Sequence, residues 1–389
     1  MYKIKTLNKI AACGTRKFDR AHYEVGTHVE DPDAILVRSA SLHDLELPAS
    51  LKAIARAGAG VNNIPVEACS QRGIVVFNTP GANANAVKEL AIAALLMTSR
   101  DLIGGVNWAR GLSGSEDVAN VVEQGKKAFV GPELYGKKLG VFGLGAIGAM
   151  VANTATELGM DVYGYDPYIT VDHAWMLNRG VKRAADAKTI YEHCDYITLH
   201  VPSTPETRGF LNDKAFSAMK QGMRIINLSR GDLVNESDMA EALDSGKVAC
   251  YLTDFPSEAV LNMKHVIAIP HLGASTPESE DNCAVMAVDE LIDYLETGSI
   301  KNSVNFPDVQ NTRAGDQSLC VLHKNIPTIL AQLSALLSEQ GLNIENLSSR
   351  SKKDYAYAVI EIAGECSEEI LKRLRAIDGV IRVNVINNL

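Results

Sequence analysis

Glycines at 143, 145 and 148 stand in the order G-x-G-x-x-G inside "VFGLGAIG" (141–148), and Asp166 follows 18 residues after the third. Each position has its own chemical use. Gly143 permits a tight turn, Gly145 lets a backbone come close to a pyrophosphate, and Gly148 lets a helix pack against a strand. An anion at such a turn rests on the free N–H groups and positive dipole end of the helix that follows. A carboxylate at Asp166 suits the hydroxyls of an adenosine ribose. It repels a 2′-phosphate, and no Arg follows at once to reverse that. The pattern predicts a dinucleotide site that takes NAD in preference to NADP.

Other residues suit proton and carboxylate chemistry. Arg230 follows "INLS", Asp254 and Glu258 follow "CYLT", and His271 follows "IAIP". An Arg fork holds a carboxylate bidentately and polarises a neighbouring carbonyl. A His exchanges a proton near neutral pH, and a carboxylate beside it raises its pKa and orients it. Together these groups suit oxidation of a 2-hydroxy acid, with His271 taking the hydroxyl proton while hydride leaves for a nicotinamide. Singly, each has a plainer reading. A strand-end Arg or His is commonly a surface or capping group, a lone Glu258 is a solvated loop acid, and a glycine turn can serve an α/β fold that binds nothing. The set at one sheet edge favours the functional reading.

The elements that must position these groups are legible as alternating patterns. "KKLGVF" (137–142) reads as a buried strand, "AIGAMVANTATELG" (146–159) as a helix and "MDVYGYD" (160–166) as a second strand. Apolar runs recur at 194–202, 222–231, 248–255 and 265–273, with helical patterns at 212–220 and 235–247. Near-continuous apolar strands alternating with helices imply a parallel sheet covered on both faces, with ligands beyond the carboxyl ends of the strands. Residues 1–88 carry smaller strand–helix units with no glycine pattern and predict a second, flavodoxin-like domain. Helices are expected at 86–100 and 280–300.

Composition bounds the rest. A chain of 389 residues exceeds one ordinary core and implies two or three domains. The net charge of −9, with no Lys/Arg run longer than two, argues against a nucleic-acid partner but allows a small anionic substrate. Seven cysteines at 13, 69, 194, 250, 283, 320 and 366 form no C-x-x-C. Their scatter excludes a zinc knuckle, implies no metal site and suits a reducing cytoplasm. The longest apolar stretch, "LAIAALLM" (90–97), is too short to span a membrane. "IAAC" (10–13) looks like a lipoprotein cleavage site, but Lys5 and Lys9 leave no apolar core before it.

"VFGLGAIG", "GYDPY", "LHVPSTPETRGFLN", "INLSRGDLVNE", "IPHLGAST" and the segment 56–95 together resemble the D-isomer-specific 2-hydroxyacid dehydrogenases. The likeness covers nearly the whole chain and is strongest to members that oxidise a phosphorylated acid. It implies that Arg230 binds the substrate carboxylate, His271 is the acid–base and Glu258 its partner. Asp254 would lie near the nicotinamide, and Ala146, Ile147, Val201, Pro202, Leu228, Ser229 and Gly273 would line the coenzyme. Arg38, Ser39, Gly60, Val61 and Asn62 match segments that contact substrate. Two departures stand out. The family pattern D-V-F-x-x-E-P reads "TDFPSEAV" here, one residue shorter and without the final Pro, so Glu258 is assigned across a gap. Related enzymes often carry another Arg just after the one matching Arg38, which "RSAS" lacks, leaving Lys126, Lys127 or Arg110 to supply charge for a phosphate.

The polar stretch 301–317 reads as a linker. After it, strands at 318–323, 355–362 and 379–386 and helices at 327–340 and 367–377 suggest a ferredoxin-like βαββαβ module resembling an ACT domain. In serine-sensing ACT domains a His-x-Asn and a later Asn hold the amino acid; His323, Asn325 and Asn343 occupy those places, with Thr328 where Gly is common. The expected architecture is therefore α/β: a substrate domain over 1–88 plus 281–310, a Rossmann-type doubly wound coenzyme domain over 89–280, a linker at 311–317 and the ACT-like domain over 318–389. The resemblance implies a homodimer or homotetramer and a possible L-serine effector. Two other readings stay open: a sister enzyme acting on glyoxylate, hydroxypyruvate or 2-oxoglutarate, and a non-catalytic NAD-sensing protein.

Overall fold

The computed structural model describes residues 1–388. The chain forms two compact units, Met1–Asn83 with Pro277–Leu389, and Ala84–Thr276.

In the first unit, β1 (Tyr2–Leu7), β2 (Tyr23–Gly26), β3 (Ala34–Val37), β4 (Ala53–Arg56) and β5 (Val75–Asn78) form one parallel sheet in the order β2-β1-β3-β4-β5. That is the flavodoxin-like order. β3 is buried along its whole length, as expected for a strand covered on both faces. The helix Pro277–Thr297 packs on this sheet through Cys283, Ala287, Val288 and Leu291. Gly14 lets the short helix Ala12–Thr15 touch it, since a Cβ there would lie 2.6 Å from the Ala284 carbonyl.

The second unit carries β6 (Lys138–Phe142), β7 (Asp161–Tyr165), β8 (Lys182–Arg183), β9 (Tyr196–Leu199), β10 (Met223–Asn227), β11 (Val248–Thr253) and β12 (Val266–Ala268). All are parallel, in the order β12-β11-β10-β9-β6-β7-β8. Read from β8 this is the doubly wound 3-2-1-4-5-6 order with one strand added, and the crevice falls between β6 and β9, where the order reverses. The helices Ala84–Ser99 and Ala146–Glu157 bury Ala91, Ala94, Leu95, Val151, Ala152 and Ala155 against it.

The C-terminal module adds an antiparallel sheet, β14-β15-β13-β16, from β13 (Gln317–Lys324), β14 (Ile344–Lys352), β15 (Tyr355–Ile362) and β16 (Val380–Asn387). The helices Ile329–Glu339 and Glu368–Arg375 complete a βαββαβ order. No apolar run announces β14, because it is a half-exposed edge strand, "IENLSSRSK". Side chains alternate between the two faces of the sheet. Leu319, Val321 and Ile360 meet the module's own helices. Cys320, Leu322, Tyr357 and Val359 join the core of the first unit beside Phe77, Leu291 and Tyr294.

The stretch 301–317 is packed rather than loose, contrary to the expected linker at 311–317. Phe306 is buried, and Asn305 accepts from the Val76 amide and donates to the Ile74 carbonyl. Glu361 gathers the Thr312 amide and hydroxyl, the Ala314 amide and the Asn346 side chain. The polarity that suggested solvent is spent on internal hydrogen bonds.

Candidate active site

The glycine turn follows β6. Gly143 has φ +84°, and a Cβ there would lie 2.4 Å from the His200 carbonyl oxygen. A Cβ on Gly148 would lie 1.9 Å from the Gly143 oxygen. Both glycines are demanded by the protein itself. Gly145 is different: its φ is −70°, and a Cβ would meet nothing within 4 Å. Neither strain nor packing explains a glycine there, so the open space fits a group that approaches the backbone from outside. No side chain caps the helix Ala146–Glu157, which leaves the amides of Ala146, Ile147 and Gly148 without intrahelical acceptors. Asp166 is tied to this turn, accepting the Leu144 amide through Oδ2 and the Tyr168 amide through Oδ1, each at 2.8 Å. The residues present fit a dinucleotide.

Sequence reasoning missed His200, which lies beneath the turn and meets Thr198 Oγ1 at 3.0 Å through Nε2. Burial pushes its pKa down to about 4, so it is neutral at physiological pH. Its place at the end of β9, beside the turn, was the available signal.

At the carboxyl ends of the neighbouring strands, the turn after β10 is set by buried Asn227. Its Oδ1 accepts the Ser229 amide and its Nδ2 donates to the Arg230 carbonyl. Ser229 Oγ donates to the Leu199 carbonyl at 2.6 Å, and the exposed Arg230 donates to the Ser229 carbonyl. After β11, Asp254 is 1% exposed, and neither carboxylate oxygen has a partner at hydrogen-bonding geometry among the described residues. Burial raises its pKa, while the nearby charges of His271 and Arg230 oppose the rise. A Cβ on Gly273 would come 3.8 Å from Asp254 Oδ2 and 3.3 Å from Val87. His271 stands exposed, with its ring edge-to-face on Phe255, centroids 4.8 Å apart at 80°. Arg230, Asp254 and His271 thus converge at one sheet edge.

Glu258 does not join them. It is exposed at the first position of the helix Glu258–Leu261 and makes no side-chain hydrogen bond or ion pair with His271 among the described residues. Ser257 caps the helix that Glu258 begins, and the carboxylate is exposed to solvent. Val201 and Pro202 continue from β9, and Leu228 is buried behind the Ser229 turn.

In the first unit, Arg38 directly follows β3 and pairs with Glu280 at 2.7 Å. The Ser39 amide is bonded to Asn8 Oδ1, and the Asn62 carbonyl meets His43 Nε2. Gly60 and Val61 lie in the same loop as Asn62. Arg56, which was passed over, ends the adjacent β4 in register with Val37 and donates from Nε to the Arg38 carbonyl. The strand register, which the sequence does not show, sets these two arginines side by side. In the second unit, Lys126 is engaged by Glu123, and Lys127 and Arg110 are exposed.

In the C-terminal module, His323 is 4% exposed. Its Nδ1 bonds the Lys324 carbonyl at 2.8 Å, which leaves Nε2 as a buried acceptor with no partner among the described residues. Asn325 Nδ2 donates to the Lys353 carbonyl, and Asn343 Nδ2 to Glu345. The register sets them apart: Lys324 pairs with Tyr355 at one end of the sheet, and Ile344 pairs with Ile362 at the other. Seven strand residues separate the ends by about 24 Å, so one chain does not bring Asn343 to His323. Thr328 has φ +73°, a conformation that suits Gly and strains a β-branched residue.

Comparison with known proteins supplies the family. Residues 92–273 match the model of the D-isomer specific 2-hydroxyacid dehydrogenase NAD binding domain, and residues 319–382 match the AHAS small subunit-like ACT domain. The chain is 32% identical over 346 residues to D-3-phosphoglycerate dehydrogenase of Haemophilus influenzae, covering 84% of this chain and 79% of that protein. It is 36% identical over 297 residues to the enzyme of that name from Methanocaldococcus jannaschii, covering 74% of this chain and 54% of the relative. It therefore spans about half the length of that relative. Among solved structures, cofactor (NAD+)-bound 3-phosphoglycerate dehydrogenase of Entamoeba histolytica superposes with a TM-score of 0.61 at 27% identity, covering 78% of this chain and 98% of that one. The chain belongs to the D-isomer-specific 2-hydroxyacid dehydrogenase family. Its second unit is an NAD-binding domain, and its C-terminal module is an ACT-like domain.

Proposed function

We propose that the protein catalyses NAD-dependent oxidation of D-3-phosphoglycerate to 3-phosphohydroxypyruvate. The observation that carries the reading is the convergence of Arg230, Asp254 and His271 on the strand edge beside a glycine turn whose middle member, Gly145, faces open space. Bound NAD supplies the hydride acceptor. The Arg230 guanidinium holds the substrate carboxylate in a fork that an ammonium cannot reproduce. His271 takes the hydroxyl proton as the carbon–hydrogen bond gives up its electron pair and the C=O bond forms. Asp254 sets a buried carboxyl group beside this pair. In the first unit, Arg38 and Arg56 concentrate positive charge suited to a phosphate.

The reading extends to assembly. β14 is an open sheet edge, and antiparallel pairing with its counterpart in a second copy would set the Asn343 end of one module beside the His323 end of the other. His323 Nε2 then awaits a hydrogen-bond donor, which the ammonium or hydroxyl of an amino acid such as L-serine supplies. The exposed Leu102, Ile103 and Val106 give the coenzyme domain an apolar face for a homodimer or homotetramer. Among the described residues, no helix is long and apolar enough to cross a membrane, and the cysteines are unpaired, in keeping with a cytoplasmic site of action.

The test is NADH absorbance on mixing the protein with phosphohydroxypyruvate, glyoxylate or 2-oxoglutarate. Phosphohydroxypyruvate should be turned over with the highest kcat/KM, and His271→Ala should slow it by about 100- to 10,000-fold. Preference for glyoxylate or 2-oxoglutarate would make the protein a sister reductase. NADH binding without any turnover would make it a sensor.

A further inference from the structure

The loop that joins β11 to the helix Glu258–Leu261 is where this chain leaves its family's pattern, and the geometry there has a direct bearing on the imidazole. Ser257 caps the short helix: its Oγ accepts the Val260 amide at 3.1 Å and donates to Glu236 at 2.8 Å. The helix start is therefore anchored, and Glu258 is anchored with it on the solvent side. The residue that does reach His271 is Phe255. Its ring stands edge-to-face on the imidazole, an arrangement favoured by the quadrupole of the aromatic face. Phe255 is itself held through its backbone, and Gly231 leaves room for it. Its amide donates to Thr253 Oγ1 at 3.1 Å, and a Cβ on Gly231 would come within 3.2 Å of the Phe255 Cβ. Gly231 directly follows Arg230. Phe255 thus fills the space between the turn that carries the guanidinium and the loop that carries the imidazole. Beside it, Asp254 holds a buried carboxylate whose oxygens have no partner at hydrogen-bonding geometry among the described residues.

We propose that Phe255, beside the buried Asp254 carboxyl group, is the positioning residue for His271 in this protein, the task that the family pattern would give to Glu258. The assignment rests on the dehydrogenase reading above. An unbonded, exposed imidazole samples several rotamers, and proton transfer needs one of them. A ring packed on one side restricts that choice, and the hydrogen bond to Thr253 Oγ1 fixes the backbone from which that ring projects.

Steady-state kinetics of Phe255→Ala, Phe255→Tyr and Glu258→Gln test this, alongside spectra of 15N-histidine-labelled protein. Phe255→Ala should lower kcat by about 10- to 100-fold, the cost of a misplaced reacting group, with the KM for NADH changed less than about twofold. Phe255→Tyr should recover most of the loss, since the ring is kept. The loss from Phe255→Ala should exceed that from Glu258→Gln by about tenfold. In the spectra, the His271 resonance should move on Phe255→Leu, because the ring current is gone, and stay in place in Glu258→Gln. A larger kcat loss in Glu258→Gln than in Phe255→Ala overturns the assignment. So does a His271 resonance indifferent to Phe255, a measurement that needs no turnover and also decides the matter if Phe255→Ala folds poorly. A wild-type protein inactive on every keto acid would instead defeat the dehydrogenase reading and leave the spectral result standing on its own.

Discussion

Both units open their parallel sheet with a strand and then a residue in the left-handed region. In the first unit that residue is Asn8, φ +69°, after β1; in the second it is Gly143, φ +84°, after β6. Asn and Gly are the two residue types that adopt this conformation readily. The turns then part company. Asn8 Oδ1 reaches across to β3 and accepts the amides of Ser39 and Ala40 at 3.1 and 2.7 Å. The first helix that follows is four residues long and has no anion cradle. Gly143 carries nothing, Gly145 faces open space, and a twelve-residue helix begins with uncapped amides. One turn geometry serves both. Where a side chain is present it satisfies the protein's own donors, and where it is missing the donors remain for a ligand.

That contrast can be broken most sharply at Gly145. An alanine there has no strained φ and no clash, so the second unit should melt within about 2 °C of wild type while NADH affinity falls about 100-fold, roughly 2.7 kcal/mol. Gly148→Ala should lose both, because its Cβ would strike the Gly143 carbonyl. Fluorescence titration with NADH, paired with thermal melts, separates the two. Normal NADH binding by Gly145→Ala would mean that nothing approaches the turn from outside.

The units should also respond to pH in opposite directions. Glu290, on the helix Pro277–Thr297, is buried with one oxygen on Asn302 and the other unpartnered among the described residues. Burial, reinforced by Asp289 and Asp308 and opposed by Asn302 and Lys301, raises its pKa to about 8. The folded unit keeps this proton when the unfolded chain has lost it, so the stabilisation is complete below the ordinary carboxylate range and drains away as pH rises toward 8. His200 has its pKa lowered to about 4. Its contribution is complete above the ordinary imidazole range and is lost as pH falls toward 4. The effects are on the order of 5 kcal/mol for Glu290 and 3 kcal/mol for His200. Hydrogen exchange at pH 5 and pH 8 should show the first unit loosening at the higher value and the second at the lower. Glu290→Gln should flatten the response of the first unit alone; an unchanged response would remove Glu290 as its source.

The same contrast explains what the sequence made legible. The glycine turn and Asp166 were readable because their chemistry depends on residue type at fixed spacing within one strand–turn–helix unit, and Arg230, Asp254 and His271 because each follows an apolar run of one parallel sheet. The parallel strands were readable because burial on both faces leaves nearly unbroken apolar runs. β14 was not, since an edge strand with polar residues carries no such signal. The packing of 301–317 was hidden because hydrogen bonds such as those of Asn305 and Glu361 are made to residues distant in the chain. The place of Glu258 was signalled only by the gap in the family pattern, because where a short capped helix begins depends on the path of the loop before it. Arg56 and Asn8 were visible as letters, but their meaning lies in strand neighbours that only the register supplies.

Asn8 gives the smallest and most selective test. Asn8→Ala removes two hydrogen bonds and forces a Cβ-bearing residue with no side-chain acceptor to hold a positive φ. The first unit should lose about 1–2 kcal/mol. Asn8→Gly keeps the conformation and loses only the bonds, so it should fall between wild type and Asn8→Ala. NADH affinity should not change in either variant, because the coenzyme's amides belong to the other turn. Denaturant melts give the stability order, and NADH titration supplies the control. If Asn8→Gly were as stable as wild type, the Ser39 and Ala40 amides would be satisfied by water without the side chain. The first turn would then be as open as the second, and the lack of a glycine pattern there would no longer explain why it carries no anion cradle.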